Sequence, residues 1–100
     1  MYRLTLDPMI KSFQHKGLRG FYETGSTRGI RADHAQRLSR MLQFMDRATL
    51  PADLDLPGWR LHRLKGELTE YWSLSVSGNW RVIFRFVGSD IELVDYLDYH

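Results

Sequence analysis

No cysteine occurs among the 100 residues. That removes disulfides, thiolate metal sites and cysteine nucleophiles together, and it fits the cytoplasm. No apolar run approaches the roughly 18–20 residues of a membrane span, and the opening MYRLTLDP lacks the apolar core of a signal peptide. No repeat, low-complexity tract or internal linker interrupts the chain. Prolines number only three, and two of them, Pro51 and Pro57, bracket a loop. Lysine is scarce too, at three against eleven arginines; arginine is the better fork for phosphate oxygens. The four histidines, His15, His34, His62 and His100, have no metal-ligand spacing and no acidic cluster beside them. Neither a metal nor a cofactor is expected.

What is present describes a small folded domain. Hydrophobic residues make up 43% of the chain and aromatics 13%, which excludes disorder. A chain of this length buries somewhat over ~60% of its unfolded surface, enough for one modest core. The net charge is +2, with an isoelectric point near 9.2. Residues 1–8 read as an N-terminal extension and 9–100 as a single domain. Met9 to Phe13 reads as a short strand. His15 to Glu23 places Leu18, Phe21 and Tyr22 at helical spacing, weakened by Gly17 and Gly20 and stopped by Gly25. Asp33 and Gln36 read as a capping box. Ala35, Leu38, Met41, Leu42, Met45 and Ala48 then form one apolar stripe.

After Gly58 the period changes to two. Trp72, Leu74 and Val76 alternate with Tyr71, Ser73, Ser75 and Ser77. Beyond a turn at Ser77-Gly78-Asn79, Trp80, Val82, Phe84 and Phe86 alternate with Arg81, Ile83 and Arg85. Gly88-Ser89-Asp90 is a second turn, leading into Ile91 to Tyr99. Turns this close imply antiparallel hairpins. Helices first and a meander second predict an α+β fold, with two N-terminal helices packed on one face of a small antiparallel sheet. Trp80 is expected in the core. The opposite face, with Arg81, Arg85 and serines, is expected to be wet or to bind something.

Three short stretches carry candidate chemistry. WRLHRLKG loses its alternation near His62, so His62 and Lys65 fall at a strand end and in the loop that Gly66 opens, where a scaffold can hold functional groups. Arg81 stands on the polar strand face. The sequence closes on Tyr99-His100, placed as if the last strand delivers an imidazole into a site. Each residue alone has an ordinary reading: a solvated loop, a solvated strand arginine, a frayed end. Together they would line a basic cleft suited to breaking an RNA phosphodiester. One group takes the ribose 2′-OH proton, another protonates the leaving 5′-oxygen, and cations stabilise the phosphorane. Histidine suits the proton transfers, and Tyr99 can stack on a base.

In order, MIKSFQHKGL, LHRLKG, YWSLSVSGNWRVIFRF and DYLDYH resemble the HigB toxins of bacterial type II toxin–antitoxin systems, within the RelE/ParE superfamily. The resemblance spans residues 9–100. It implies a RelE-like fold and a metal-independent endoribonuclease that cleaves message in the ribosomal A site. It also implies a HigA-type helix-turn-helix antitoxin, with DNA reached only through that complex. On this resemblance His62, Lys65, Arg81, Asp98, Tyr99 and His100 contribute to cleavage. Arg63 stands inside the HxLKG loop where a proline is expected, which should loosen the loop. The alternative is a ParE-like toxin that inhibits DNA gyrase by protein contact; two imidazoles in one cleft argue against it. A second basic group, Arg28, Arg31, Arg37, Arg40 and Arg47, reads as a surface for 16S ribosomal RNA.

Overall fold

The computed structural model describes residues 10–99; the extension 1–8, Met9 and His100 lie outside the described residues. Two helices, α1 (Lys16–Thr24) and α2 (Ala35–Met45), precede four strands, β1 (His62–Arg63), β2 (Tyr71–Ser77), β3 (Trp80–Val87) and β4 (Asp90–Asp98). The strands form one antiparallel sheet in the order β1-β2-β3-β4. The α+β meander is therefore as the alternation predicts.

Helix α1 begins where the His15 ring nitrogen Nδ1 accepts from the Leu18 amide at 2.9 Å. It ends where Gly25, at φ 82°, donates its N–H to the Phe21 carbonyl. Gly17, which weakens the helix in sequence terms, has a packing reason. A Cβ there would come within 2.7 Å of the Gly29 carbonyl oxygen. The capping box expected at Asp33 and Gln36 does not form. Asp33 instead receives two bonds from the Arg31 guanidinium, at 3.0 and 3.1 Å, and a 3-10 turn, Ala32–His34, leads into α2 without a side-chain cap. A charged fork two residues away outcompetes neutral backbone amides for the carboxylate.

One buried cluster joins Leu18 of α1 and Leu38, Met41, Leu42 and Met45 of α2 to Leu74, Val76, Val82, Phe84, Val94 and Tyr96 of the sheet. Fully buried Phe84 lies within it, whereas Trp80 is only half-buried at its margin. The Trp80 ring still lies 4.8 Å from that of Tyr96 and 5.6 Å from that of His34. Trp80→Ala is therefore expected to cost about 3 kcal/mol, read as a lower midpoint in urea. A wild-type midpoint would remove Trp80 from the core.

The strand expected over Met9 to Phe13 reduces, in its described part, to two isolated parallel bridges, Ile10 with Ile91 and Phe13 with Val94. Lys11 and Gln14 donate to the Ile91 and Val94 carbonyls. The Ser12 hydroxyl accepts from Leu93 N–H at 2.9 Å, where the β3–β4 register shifts and Leu93 takes φ 55°. This segment thus covers the β4 edge that would otherwise be open to pairing with another chain.

Candidate active site

Paired residues on neighbouring strands share a face of the sheet. His62, Ser73, Ile83 and Asp95 form one row across all four strands, and Ser75, Arg81 and Leu97 form the next. Register thus brings His62 and Arg81 to the face opposite the one that carries Leu74, Val82 and Phe84 of the buried cluster. The middle of that face is drier than the serine-rich pattern suggests, because Ser73 and Ile83 are buried.

At the β2–β3 turn the Arg81 guanidinium donates from Nη1 to the carbonyls of Gly78, at 2.6 Å, and Trp80, at 3.0 Å. Its near neighbour on the same face behaves differently: Arg85 is held by Glu70, at 3.2 Å, and Glu92, at 3.4 Å. Among the described residues Arg81 has no carboxylate partner. Tyr99 is exposed, and its amide donates to the Asn79 carbonyl at 2.7 Å, fixing it at the same turn. Asp98 pairs with Trp80 across the ladder, which puts it on the opposite side of this rim from Arg81. There its charge acts on Arg31. The Arg31 pKa is raised chiefly by the hydrogen bond and charge of Asp33, with Asp98 a lesser cause. The loop arginine assigned to a separate RNA surface therefore stands near the candidate site.

Lys65 is not brought to this rim. It follows Leu64, whose amide donates to the Tyr71 carbonyl at the start of β2, so it stands at the other end of the sheet. Arg63 does the opposite of loosening the loop. Its Nε donates to the Thr69 carbonyl at 2.7 Å and its guanidinium lies 5.6 Å from the Trp72 ring centre, so it fastens the loop that carries Lys65. His62 is exposed, with Nδ1 2.9 Å from the Arg60 carbonyl. His100 lies outside the described residues.

Among the second basic group, Arg37 is committed to protein: Nη2 donates to the Gly58 and Ser75 carbonyls. Arg28 and Arg40 are exposed, the latter with its guanidinium 5.6 Å from the Phe44 ring centre. Arg47 lies beyond the end of α2, in the following turn, and is exposed.

A buried polar pair was not anticipated. His34 Nδ1 lies 2.6 Å from the Tyr96 hydroxyl, which also accepts from the Arg31 amide at 3.5 Å. Burial raises the Tyr96 pKa and lowers that of His34, where Asp33 acts in the opposite sense and Arg31 adds to the lowering. Tyr96 therefore stays a phenol, hydrogen-bonded to a neutral His34. The signal was present in the sequence: His34 continues the spacing of Leu38, Met41, Leu42 and Met45. A histidine whose folded pKa is depressed binds its proton more readily when unfolded. Its contribution is present above the unfolded value of about 6.5 and is lost as pH falls from there toward the folded pKa. Melting is expected to drop from pH 7.5 to 5.5, with a shallower drop in His34→Gln; equal slopes would remove His34 from the titration.

Comparison with known proteins supplies the context for this rim. Residues 11–100 match the family model for the RelE-like toxin of type II toxin–antitoxin systems, HigB. The chain belongs to the HigB-like toxin family. It is 44% identical over 92 residues to "Endoribonuclease HigB" of Proteus vulgaris, covering 92% of this chain and all of that relative. It is 35% identical over 94 residues to "Toxin HigB-1" of Vibrio cholerae serotype O1, covering 98% of that protein. The match is to HigB toxins rather than to the ParE branch. No described helix is long and apolar enough to cross a membrane.

Proposed function

We propose that this HigB-family toxin is an endoribonuclease that cuts message in the A site of translating ribosomes. The observation that carries this reading is the rim around Gly78 and Asn79. It brings together an Arg81 with no carboxylate partner among the described residues and an exposed Tyr99, with Asp98 on the other side of the rim, in a chain 44% identical to a protein named an endoribonuclease. His100 or His62 takes the proton from the ribose 2′-OH. The 2′-oxygen then attacks phosphorus, the bond to the 5′-oxygen breaks, and the other imidazole protonates that leaving oxygen. Arg81 stabilises charge on the phosphorane oxygens. Tyr99 stacks on a base, an interaction worth ~1–3 kcal/mol. Asp98 orients its neighbours. Lys65, at the other end of the sheet, holds a flanking phosphate. Cleavage needs no metal or cofactor. The protein works in the cytoplasm, is silenced by a HigA-type helix-turn-helix antitoxin, and meets DNA only through that complex.

The test offers the purified protein naked message, ribosome-bound message, and gyrase with supercoilable DNA. Cleavage confined to ribosome-bound message is expected, with supercoiling untouched. Equal cleavage of naked message would end the ribosome requirement. Blocked supercoiling without cleavage would establish the gyrase-inhibitor reading.

Arg28, Arg40 and Arg47 would grip ribosomal RNA phosphates, with Arg31 serving both this surface and the rim. Replacing Arg28, Arg40 and Arg47 with glutamate is expected to weaken ribosome binding and to reduce the slope of log affinity against log salt by about three. Binding as tight as wild type at every salt concentration would show that this surface does not grip.

A further inference from the structure

Between Pro57 and β1 the chain has no helix or strand of its own, yet it is fixed at three points. From α2, Arg37 Nη2 donates to the Gly58 carbonyl at 2.8 Å and to the Ser75 carbonyl at 3.1 Å. The Ser75 amide donates back to the Trp59 carbonyl at 2.7 Å. The Trp59 side chain is buried, edge-on to Phe44 at 5.3 Å. One guanidinium nitrogen therefore ties the incoming segment to β2. Immediately afterwards Arg60 takes φ 52°, a left-handed conformation that non-glycine residues adopt only when their surroundings impose it.

That kink has a chemical consequence. The Arg60 carbonyl lies 2.9 Å from Nδ1 of His62. A carbonyl oxygen only accepts, so Nδ1 carries the hydrogen and, in the neutral ring, Nε2 carries the lone pair. The bond made by one ring nitrogen sets what the other can do. Here it leaves Nε2 as the nitrogen able to take a proton, on an exposed side chain that shares the Arg81 face.

We propose that Arg37 is a positioning residue for His62, fixing through the Gly58 and Ser75 carbonyls the backbone whose Arg60 carbonyl holds the imidazole with Nε2 bare. This rests on the reading that His62 takes part in proton transfer. It gives Arg37 a different task from the phosphate grip of its helical neighbours. Half-buried, with its Nε enclosed and Nη2 donating to two backbone carbonyls, the Arg37 guanidinium is poorly placed to hold a phosphate.

The experiment pairs nitrogen-15 spectroscopy of the His62 ring in the free protein with cleavage of ribosome-bound message, for wild type, Arg37→Met, His62→Ala and the double variant. Arg37→Met keeps the apolar stem and removes the donors. Wild-type His62, when neutral, is expected to be protonated on Nδ1, and Arg37→Met to shift protonation toward Nε2. Arg37→Met should also slow the cleavage step about tenfold to a hundredfold, the cost of a misplaced reacting group, with ribosome affinity unchanged. In the His62→Ala background it should slow nothing further.

Any of these results would overturn the proposal: wild-type His62 protonated on Nε2, an Arg37→Met spectrum identical to wild type, a loss confined to ribosome affinity, or the same slowing with and without His62. The wild-type spectrum requires no variant, so the proposal can fail even if Arg37→Met does not fold. If His62→Ala cuts at the wild-type rate, the role of His62 in cleavage fails and the proposal with it. The tautomer shift seen without activity then shows that the error lay in the chemistry assigned to His62, not in the tether.

Discussion

His100→Gln is expected to slow cleavage of ribosome-bound message by about 10²–10⁴-fold, the range set by losing a positioned proton carrier. An amide matches the imidazole in approximate size and polarity but cannot shuttle a proton near neutral pH. Thermal melting should be unchanged, because the segment just before it is anchored by backbone, with the Tyr99 amide on the Asn79 carbonyl. Tyr99 itself is exposed and Asp98 lies at the rim, so this stretch contributes little to the buried cluster. Glutamine at position 100 cutting at the wild-type rate would move the proton chemistry to His62.

Arg81→Ala is expected to lower cleavage by about 10²–10³-fold, comparable to removing one preorganised donor aimed at developing negative charge. The guanidinium is already oriented before RNA arrives, by the Gly78 and Trp80 carbonyls, and no described carboxylate pairs with it. Losing those two bonds should cost about 1 kcal/mol of stability each, a much smaller effect than the one on rate. Arg81→Lys keeps the charge without the planar fork and should fall between wild type and alanine. Arg85→Ala provides the contrast, since Glu70 and Glu92 already engage that arginine. Equal losses from Arg81→Ala and Arg85→Ala would mean that the whole face, rather than the rim, carries the charge requirement.

The meander was legible because two signals coincided. Period-two alternation ran through Tyr71–Ser77 and resumed through Trp80–Phe86 with Ile83 its exception, and glycines stood where the chain had to take positive φ, at Gly78 and Gly88. The stripe of α2 was legible for the same reason: Leu38, Met41, Leu42 and Met45 are buried at helical spacing. The parallel bridges of Ile10 and Phe13 were not legible, because two bridges leave no periodic trace and their partner lies about eighty residues away in sequence. The capping box failed for a local reason, since Asp33 fits the motif but Arg31 competes for the same oxygens.

Within the candidate site, the loss of phase in WRLHRLKG pointed to a strand ending or bulging near His62; the strand instead begins there, over His62–Arg63, after turn and irregular backbone over 57–61. The sequence also placed Arg81 on the face opposite Leu74, Val82 and Phe84. It did not show that Asp98 falls on the other side of the rim, near Arg31, because a single ladder position decides that. Arg63 and Arg37 were misread for a shared reason. A surface-spaced arginine is long enough to turn back onto backbone carbonyls, and nothing in a linear pattern records where those carbonyls point.

The central claim is that this toxin cuts message while it is being translated. It is tested most directly by mapping new 5′ ends of transcripts across the cell after a brief induction, with and without a block on translation. The account predicts ends inside coding sequence, in register with codons, that vanish when translation is blocked and do not arise from the Arg81→Ala protein. Ends that persist in the blocked cells, or that fall without regard to reading frame, would contradict it.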